Sequence, residues 1–258
     1  MKKIILFLFI ILFVNPVGAD SKPELLSVLT AQGGERFKKA GQTVDFFSLA
    51  NQFESQTNRM FCGPTTVAIV LNALRLQLLR DATLKVTPDE SLLAEVDRKY
   101  LDPNKQYVYN RYTQNNVFVP KAGLKTKLQV LGEPMPDKPD WGLQLRQLHQ
   151  LFLAHRTQSK LRVVNNKFSE AQIRKEIIKN LGTPGDYVVV NYHRSALGQG
   201  TSGHISPVGA YDEKSDSLLL LDVNPNSADW VWVPFQDLIA AMKTFDTAEN
   251  RGYLLVSK

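Results

Sequence analysis

Apolar residues recur with helical spacing in the segment that follows Cys62. Five of them stand at i, i+3, i+4, i+7 and i+11: Val67, Val70, Leu71, Leu74 and Leu78. This spacing places them on one face of an α-helix. The pattern therefore predicts a long amphipathic helix with Cys62 in its first turn.

Three further segments have the features of helices. Residues 89–100 follow a Thr-Pro pair, with the proline at the first helical position, and residues 142–155 are rich in leucine. In 168–181, Ser169 is followed three residues later by Gln172, which is the pattern of a capping box. These signals predict helices in the first half and the middle of the chain.

The final part of the chain changes to short β-rich runs separated by Gly, Asp, Asn and Ser. The predicted strands are Tyr187–Tyr192, Ile205–Tyr211, Leu218–Val223, Trp230–Val233 and Gly252–Val256. Short runs with such punctuation favour an antiparallel sheet.

Helices that precede strands along the chain indicate an α+β fold, because neither layer can bury its apolar face alone. We expect one domain over 20–258, with a helical part at about 20–182, a sheet part at about 183–258 and a cleft between them. The proline-rich segment 134–139 is a candidate linker or surface loop.

The N-terminus has the layout of an export signal. Two lysines precede an apolar run from Ile4 to Val14, and small residues at 17–19 precede Asp20. We therefore expect a signal peptide at 1–19 and an exported bacterial protein, periplasmic or secreted, without stable membrane association after cleavage. The run is shorter than the roughly twenty residues of a spanning helix. A retained N-terminal anchor is the alternative.

The net charge of the chain adds little to these predictions. The chain has a formal charge of +6, and loss of Lys2 and Lys3 with the signal leaves +4, from 29 basic and 25 acidic residues. The basic residues are dispersed, which argues against a nucleic-acid partner and is compatible with small anionic substrates.

Cys62 is the only cysteine of this chain, which begins with a predicted export signal. It has no partner for a disulfide within the chain, and a helix N-terminus stabilises a thiolate over a thiol. The residue is therefore predicted to be the nucleophile of an enzyme. The structural alternative is a small, buried apolar side chain.

A thiolate nucleophile in acyl transfer needs a histidine to hold and deliver a proton. Of the four histidines, His149 and His155 are six residues apart in one predicted helix and do not share a face. His193 ends a predicted strand beside Arg194 and is a weaker candidate. His204 follows a glycine-rich approach and opens the next strand, so it is the preferred base.

Asp222 follows four leucines in the predicted strand that comes after the strand of His204. If 212–216 is the hairpin loop, Tyr211 pairs with Ser217, and Asp222 becomes a diagonal neighbour of His204 on the same face. Asp222 is therefore predicted to orient the histidine.

Gln56 precedes the nucleophile by six residues, and its amide is a candidate donor to the oxyanion of a tetrahedral intermediate. An ordinary loop glutamine is the alternative. One cysteine and four scattered histidines have no metal-ligand spacing, so we expect neither a bound metal nor a required cofactor.

Six segments together resemble a known family. They are Gln56–Leu74, Tyr112–Asn116, Val190–Arg194, Gly203–Gly209, Leu221–Val223 and Arg251–Tyr253. In this order they resemble the catalytic domain of phytochelatin synthases over about residues 45–258. The similarity is greatest to short bacterial members without the cysteine-rich C-terminal domain of the plant enzymes.

The resemblance implies a papain-like cysteine protease fold and a γ-glutamylcysteinyl thioester formed on Cys62 from glutathione, with glycine as the leaving group. His204 would be general base and acid, Asp222 its orienting group and Gln56 the oxyanion donor. Water or a second glutathione would then accept the acyl group. Family members also suggest a homodimer.

The resemblance adds Arg194, Arg251 and Gly203 as substrate-binding residues. A guanidinium suits a carboxylate, so the two arginines are candidate clamps for the γ-glutamyl group, with a surface ion pair as the alternative for each. Pro225 stands where the family usually has an arginine. This departure favours hydrolysis of glutathione over polymerisation into phytochelatins.

Two other functions fit the same residues. One is a papain-like peptidase acting on another small or γ-linked peptide, since a cleft and a triad do not name a substrate. The other is a non-catalytic protein that binds thiols or metal–thiolate complexes. Heavy metals such as cadmium would enter as glutathione thiolates.

Overall fold

The computed structural model describes residues 23–77, 111–133, 140–227 and 229–258. The α-helices of this part are α1 (Ala31–Lys39), α2 (Phe46–Asn51), α3 (Cys62–Gln77), α4 (Lys127–Leu131), α5 (Leu145–Ala154), α6 (Glu170–Leu181) and α7 (Phe235–Met242). A 3-10 helix covers Arg194–Leu197. The strands are β1 (Leu26–Ser27), β2 (Gln158–Val163), β3 (Tyr187–His193), β4 (Gly203–Asp212), β5 (Ser217–Leu220), β6 (Val231–Pro234) and β7 (Gly252–Ser257).

The helix start and the capping box predicted from the sequence are present in the structure. Helix α3 begins at Cys62 as predicted. In α6, Ser169 Oγ accepts from the Gln172 N–H at 3.2 Å and the Gln172 side chain accepts from the Ser169 N–H at 2.9 Å, which is the predicted capping box. Helix α5 begins later than expected because Gly142 has a φ of 71° and Gln144 caps the helix. The predicted helix 89–100 and linker 134–139 lie outside the described residues.

The described strands form one antiparallel sheet in the order β1-β6-β5-β4-β3-β7-β2. The fold is α+β, as predicted, but the sheet is not confined to residues 183–258. Strand β2, which the sequence analysis missed, precedes α6 and pairs with β7. Its sequence Gln-Ser-Lys-Leu-Arg-Val is largely polar because it is an edge strand, where charged side chains are common. Helix α7 was missed as well.

The β4–β5 hairpin differs from the predicted register near its turn. Tyr211 lies opposite Leu218, so the predicted pairing with Ser217 is wrong. A bulge at 208–210 then shifts the pairing by one residue and restores the predicted register beyond it. Asp222 lies in the loop after β5, because that strand ends earlier than expected.

Helices cover both faces of the sheet. Successive residues of a strand point to opposite faces, and in β3 Val189 belongs to the apolar cluster that contains α3, while Val188 and Val190 belong to the cluster that contains α6 and α7. Val67 and Val70 are fully buried as their apolar spacing predicted, but α3 is not amphipathic, because every residue from Gly63 to Leu74 is buried. This packing fixes the helix that carries Cys62 against the centre of the sheet.

Two adjacent glycines in α1 allow a matched test of this packing. A Cβ on Gly33 would lie 2.0 Å from the backbone oxygen of Ser27, whereas a Cβ on Gly34 would have its nearest neighbour at 3.8 Å. We expect Gly33→Ala to lower the free energy of unfolding by about 2 kcal/mol through overpacking. Gly34→Ala should leave it unchanged or raise it by up to about 1 kcal/mol. Urea unfolding measures both, and equal stabilities would contradict the packing of α1 on β1.

Candidate active site

Three elements bring the predicted nucleophile, base and acid together. Cys62 is the first residue of α3, His204 is the second residue of β4, and Asp222 follows β5. The hydroxyl of Thr66, one turn into α3, donates to the backbone oxygen of Ile205 at 3.3 Å. This bond ties the nucleophile helix directly to the strand that carries the histidine.

His204 lies between the thiol and the carboxylate. Its imidazole lies beside the half-buried thiol of Cys62, close enough to lower the pKa of that thiol. Its Nε2 lies 2.9 Å from Asp222 Oδ1, although the ring N–H is not aimed straight at that oxygen. Because Nε2 faces the carboxylate, Nδ1 is the ring nitrogen left for the thiol. The arrangement is that of a nucleophile, a base and an orienting acid.

Burial and neighbouring charges have opposite effects on the pKa values of Cys62 and His204. Burial would raise the pKa of Cys62, but the hydrogen bond and charge of His204, with backbone N–H groups, bring it below its ordinary value. Burial would likewise lower the pKa of His204, yet Asp222 and Cys62 raise it above the ordinary value. The two pKa values therefore approach each other, which favours a thiolate–imidazolium pair near neutral pH.

The ring of Tyr192 packs against the imidazole of His204. It is the direct cross-strand partner of His204 in the β3–β4 ladder. The two rings meet edge to face, with centroids 5.7 Å apart and an interplanar angle of 82°. This contact restricts rotation of the histidine ring, and Tyr192 was not singled out from the sequence.

Arg194 occupies a different place from the one predicted. Its Nη2 donates to both carboxylate oxygens of Asp222, at 2.9 and 2.7 Å, and its side chain is only 2% exposed. The backbone N–H of Asn224 donates to the same carboxylate at 2.8 Å. Arg194 therefore pairs with Asp222 and is not part of the cleft lining, so its role as a substrate clamp stays a prediction that this geometry does not support. Its role here is to hold the orienting carboxylate, a partnership that sequence spacing does not reveal.

A cleft of about 460 Å³ opens over Cys62 and His204. Gly203 and Arg251, both predicted from the sequence, lie in its wall. A Cβ on Gly203 would lie 2.8 Å from Arg251 Nη2, so a glycine is needed for the guanidinium to lie there. The volume is within the range of small-molecule sites.

The Arg251 guanidinium is held by the loop before β7. Nη2 donates to Asp246 Oδ1 at 2.9 Å, and Nη1 donates to the backbone oxygen of Phe245. Its buried Nε has no hydrogen-bond partner among the described residues. Asp246 also accepts from Asn191 Nδ2 at 3.2 Å. Asp246 and Asn191 line the cleft but were missed, since nothing in their local sequence marks them.

Gln56 lies next to the loop that carries Asp222. Its backbone N–H donates to the Val223 oxygen at 2.8 Å, and its Nε2 donates to the Asn58 oxygen, also at 2.8 Å. The side chain is buried and is not part of the cleft wall. An oxyanion role requires Nε2 to leave the Asn58 oxygen, and this role stays a prediction.

The other histidines have separate partners. His149 Nδ1 lies 2.9 Å from Ser159 Oγ, and His155 Nε2 lies 2.7 Å from the Val117 oxygen. His193 contacts Ser195, at the start of the 3-10 helix. None of the described residues form a cluster of three or more metal-binding side chains. Within the same part of the chain, no helix is long and apolar enough to span a bilayer.

The paired thiol gives a pH prediction. We expect the rate of Cys62 alkylation by iodoacetamide to rise with a midpoint below the ordinary thiol value of about 8.5. His204→Gln should move the midpoint above this value, since burial alone raises the pKa of the thiol. His149→Gln is the matched control and should leave the profile unchanged. A wild-type midpoint at or above the ordinary value would contradict the pairing.

The buried Arg194–Asp222 pair gives a prediction for stability. Arg194→Met leaves a buried carboxylate without its guanidinium, so we expect the free energy of unfolding to fall by about 3–5 kcal/mol. The double variant Arg194→Met/Asp222→Asn should recover part of this loss, because the charge is removed as well. Urea unfolding at neutral pH measures both. A loss below about 1 kcal/mol would show that the pair behaves like an exposed ion pair.

Comparisons with known proteins give the family of this chain. A family model described as Phytochelatin synthase matches residues 21–87 and 93–253. Glutathione gamma-glutamylcysteinyltransferase 2 of Arabidopsis thaliana is 25% identical over 92% of this chain and 45% of its own length. The Schizosaccharomyces pombe glutathione gamma-glutamylcysteinyltransferase is 24% identical over 86% of this chain and 45% of its own length. The chain thus spans less than half the length of these relatives. It belongs to the phytochelatin synthase family.

Proposed function

We propose that this chain is a thiol acyl-transfer enzyme with a papain-like fold that removes glycine from glutathione. The observation that carries the proposal is the row of Cys62, His204 and Asp222, in which Cys62 and His204 line one cleft and Asp222 lies buried next to His204. A thiol at a helix start facing a histidine at a strand start supports the papain-like assignment. The names of the relatives, which are glutathione gamma-glutamylcysteinyltransferases, supply the substrate.

In the first half-reaction, the Cys62 thiolate attacks the cysteinyl carbonyl carbon of glutathione. The His204 imidazolium gives its proton to the departing nitrogen as the amide bond breaks, so glycine leaves and a γ-glutamylcysteinyl thioester remains. The oxyanion forms at the N-terminus of α3, where the first backbone N–H groups have no acceptor within the helix. Gln56 adds a side-chain donor if its amide turns from Asn58.

In the second half-reaction, His204 takes a proton from the acyl acceptor as that molecule attacks the thioester. Water gives γ-glutamylcysteine, and the amino group of a second glutathione gives a longer peptide. We favour water because Pro225, where the family usually has an arginine, offers neither a charge nor an N–H donor. Pro225 is exposed in the turn after Asp222, between Asn224 and Ser227, which line the cleft.

The γ-glutamyl end of glutathione carries an ammonium and a carboxylate on one carbon. Arg251 and Asp246 place a guanidinium and a carboxylate side by side in the cleft wall. The Arg251 guanidinium supplies the positive charge for the substrate carboxylate, and Asp246 supplies the countercharge for the ammonium. This pair supports recognition of a γ-glutamyl compound over an ordinary peptide.

No cofactor enters this mechanism. Heavy metals such as cadmium would act as glutathione thiolates presented to the cleft, because Cys62 is the only cysteine and cannot form a sensing cluster. We further propose export through a signal at 1–19, and a homodimer by analogy with the family.

The test is release of glycine and γ-glutamylcysteine from glutathione by residues 20–258 under reducing conditions, with and without cadmium. We expect stoichiometric release of both products and no release by Cys62→Ala, which removes the only thiol of the chain. Long phytochelatins as the main product would show that transfer dominates over hydrolysis. Binding of glutathione without any release would favour a binding protein, and release only from other peptides would favour a different peptidase.

A further inference from the structure

Arg59 stands in the turn that leads into the nucleophile. The Phe61 N–H donates to the Asn58 oxygen at 3.3 Å, and the Met60 N–H donates to Asn58 Oδ1 at 2.9 Å. These bonds fix the backbone on both sides of Arg59, three residues before Cys62. The side chain is exposed and lines the cleft.

The two arginines of the cleft have different surroundings. Arg251 is buried and paired with Asp246. Arg59 forms no ion pair with any residue that the structure describes. The loop before Cys62 therefore presents an uncompensated positive charge to the cleft, while the charge on the β7 side is already balanced in part.

A substrate with one carboxylate at each end matches this arrangement. In glutathione, the scissile amide lies between the γ-glutamyl carboxylate and the glycine carboxylate. If Arg251 and Asp246 take the γ-glutamyl end, the glycine end extends away from them past Cys62. We propose that Arg59 binds the carboxylate on the leaving-group side of the scissile amide. This inference rests on the proposed function.

The same arginine serves any amine that enters in place of glycine. The attacking amino group of a second glutathione is attached to a carbon that also bears a carboxylate, as it is in glycine. Both amines therefore place a carboxylate at the same distance from the carbonyl carbon. Water has no such group, so Arg59 acts in formation of the thioester and in transfer to amino acids, but not in its hydrolysis.

The test compares glutathione with its glycinamide analogue, in which the terminal carboxylate is a neutral amide. We expect Arg59→Gln to lower kcat/KM for glutathione about tenfold, the modest end for a charge-assisted bond because the site is exposed to solvent. The value for the amide should not change. Arg59→Lys should retain part of the preference, and Arg156→Gln, an exposed arginine outside the cleft lining, is the matched control.

Two outcomes would overturn the inference. An equal loss for both substrates would mean that Arg59 only supports the loop, and no loss for either would mean that it does not contact the substrate. Equilibrium binding to Cys62→Ser protein provides a readout that does not need turnover. There, glutathione should bind more tightly than the amide, and Arg59→Gln should abolish the difference. If wild-type protein releases no glycine but this difference is present, the proposed reaction fails while the role of Arg59 stands.

Discussion

The buried carboxylate of Asp222 is the group on which the site depends. Its side chain has no exposure, and an unpaired charge in that position would cost several kcal/mol. The Arg194 guanidinium, the adjacent His204 ring and the Asn224 N–H offset this cost, the guanidinium and the N–H as hydrogen-bond donors. They come from the 3-10 helix, from β4 and from the loop after β5. Satisfying one buried charge therefore also fixes the orientation of the histidine.

The nucleophile is held by a separate constraint, the packing of α3. One side of this buried helix lies against the sheet, and its first turn points into the cleft at the positive end of the helix. Burial there opposes ionisation of the thiol, while His204 favours it. A thiolate thus gains population only where the imidazolium can balance it. The reactive state belongs to the Cys62–His204 pair, and it depends on α3 and β4 remaining in contact.

Local signals in the sequence were sufficient to single out Cys62, His204 and Asp222, the three side chains that the structure brings together. The helix start at Cys62 and the acid after four leucines are each visible within a few residues. The register near the turn was wrong by one residue, but the bulge at 208–210 compensates for the error, so Asp222 still meets His204. In contrast, the partners of Arg194 and Arg251 come from loops with no pattern of their own. Long-range pairing decides those roles, and spacing along the chain does not encode it.

The distribution of charge in the cleft determines where specificity is expected. The Arg251–Asp246 pair is largely removed from water, so a ligand that fails to satisfy it leaves desolvated groups unpaired at substantial cost. Arg59 is exposed, and solvent screens its charge, so a mismatch there costs less. We therefore expect strict recognition of the γ-glutamyl end of the substrate and tolerance on the leaving-group side of the scissile amide. Such asymmetry allows glycine, water and a second glutathione to use the same position, and it makes the choice between hydrolysis and transfer a matter of small free-energy differences.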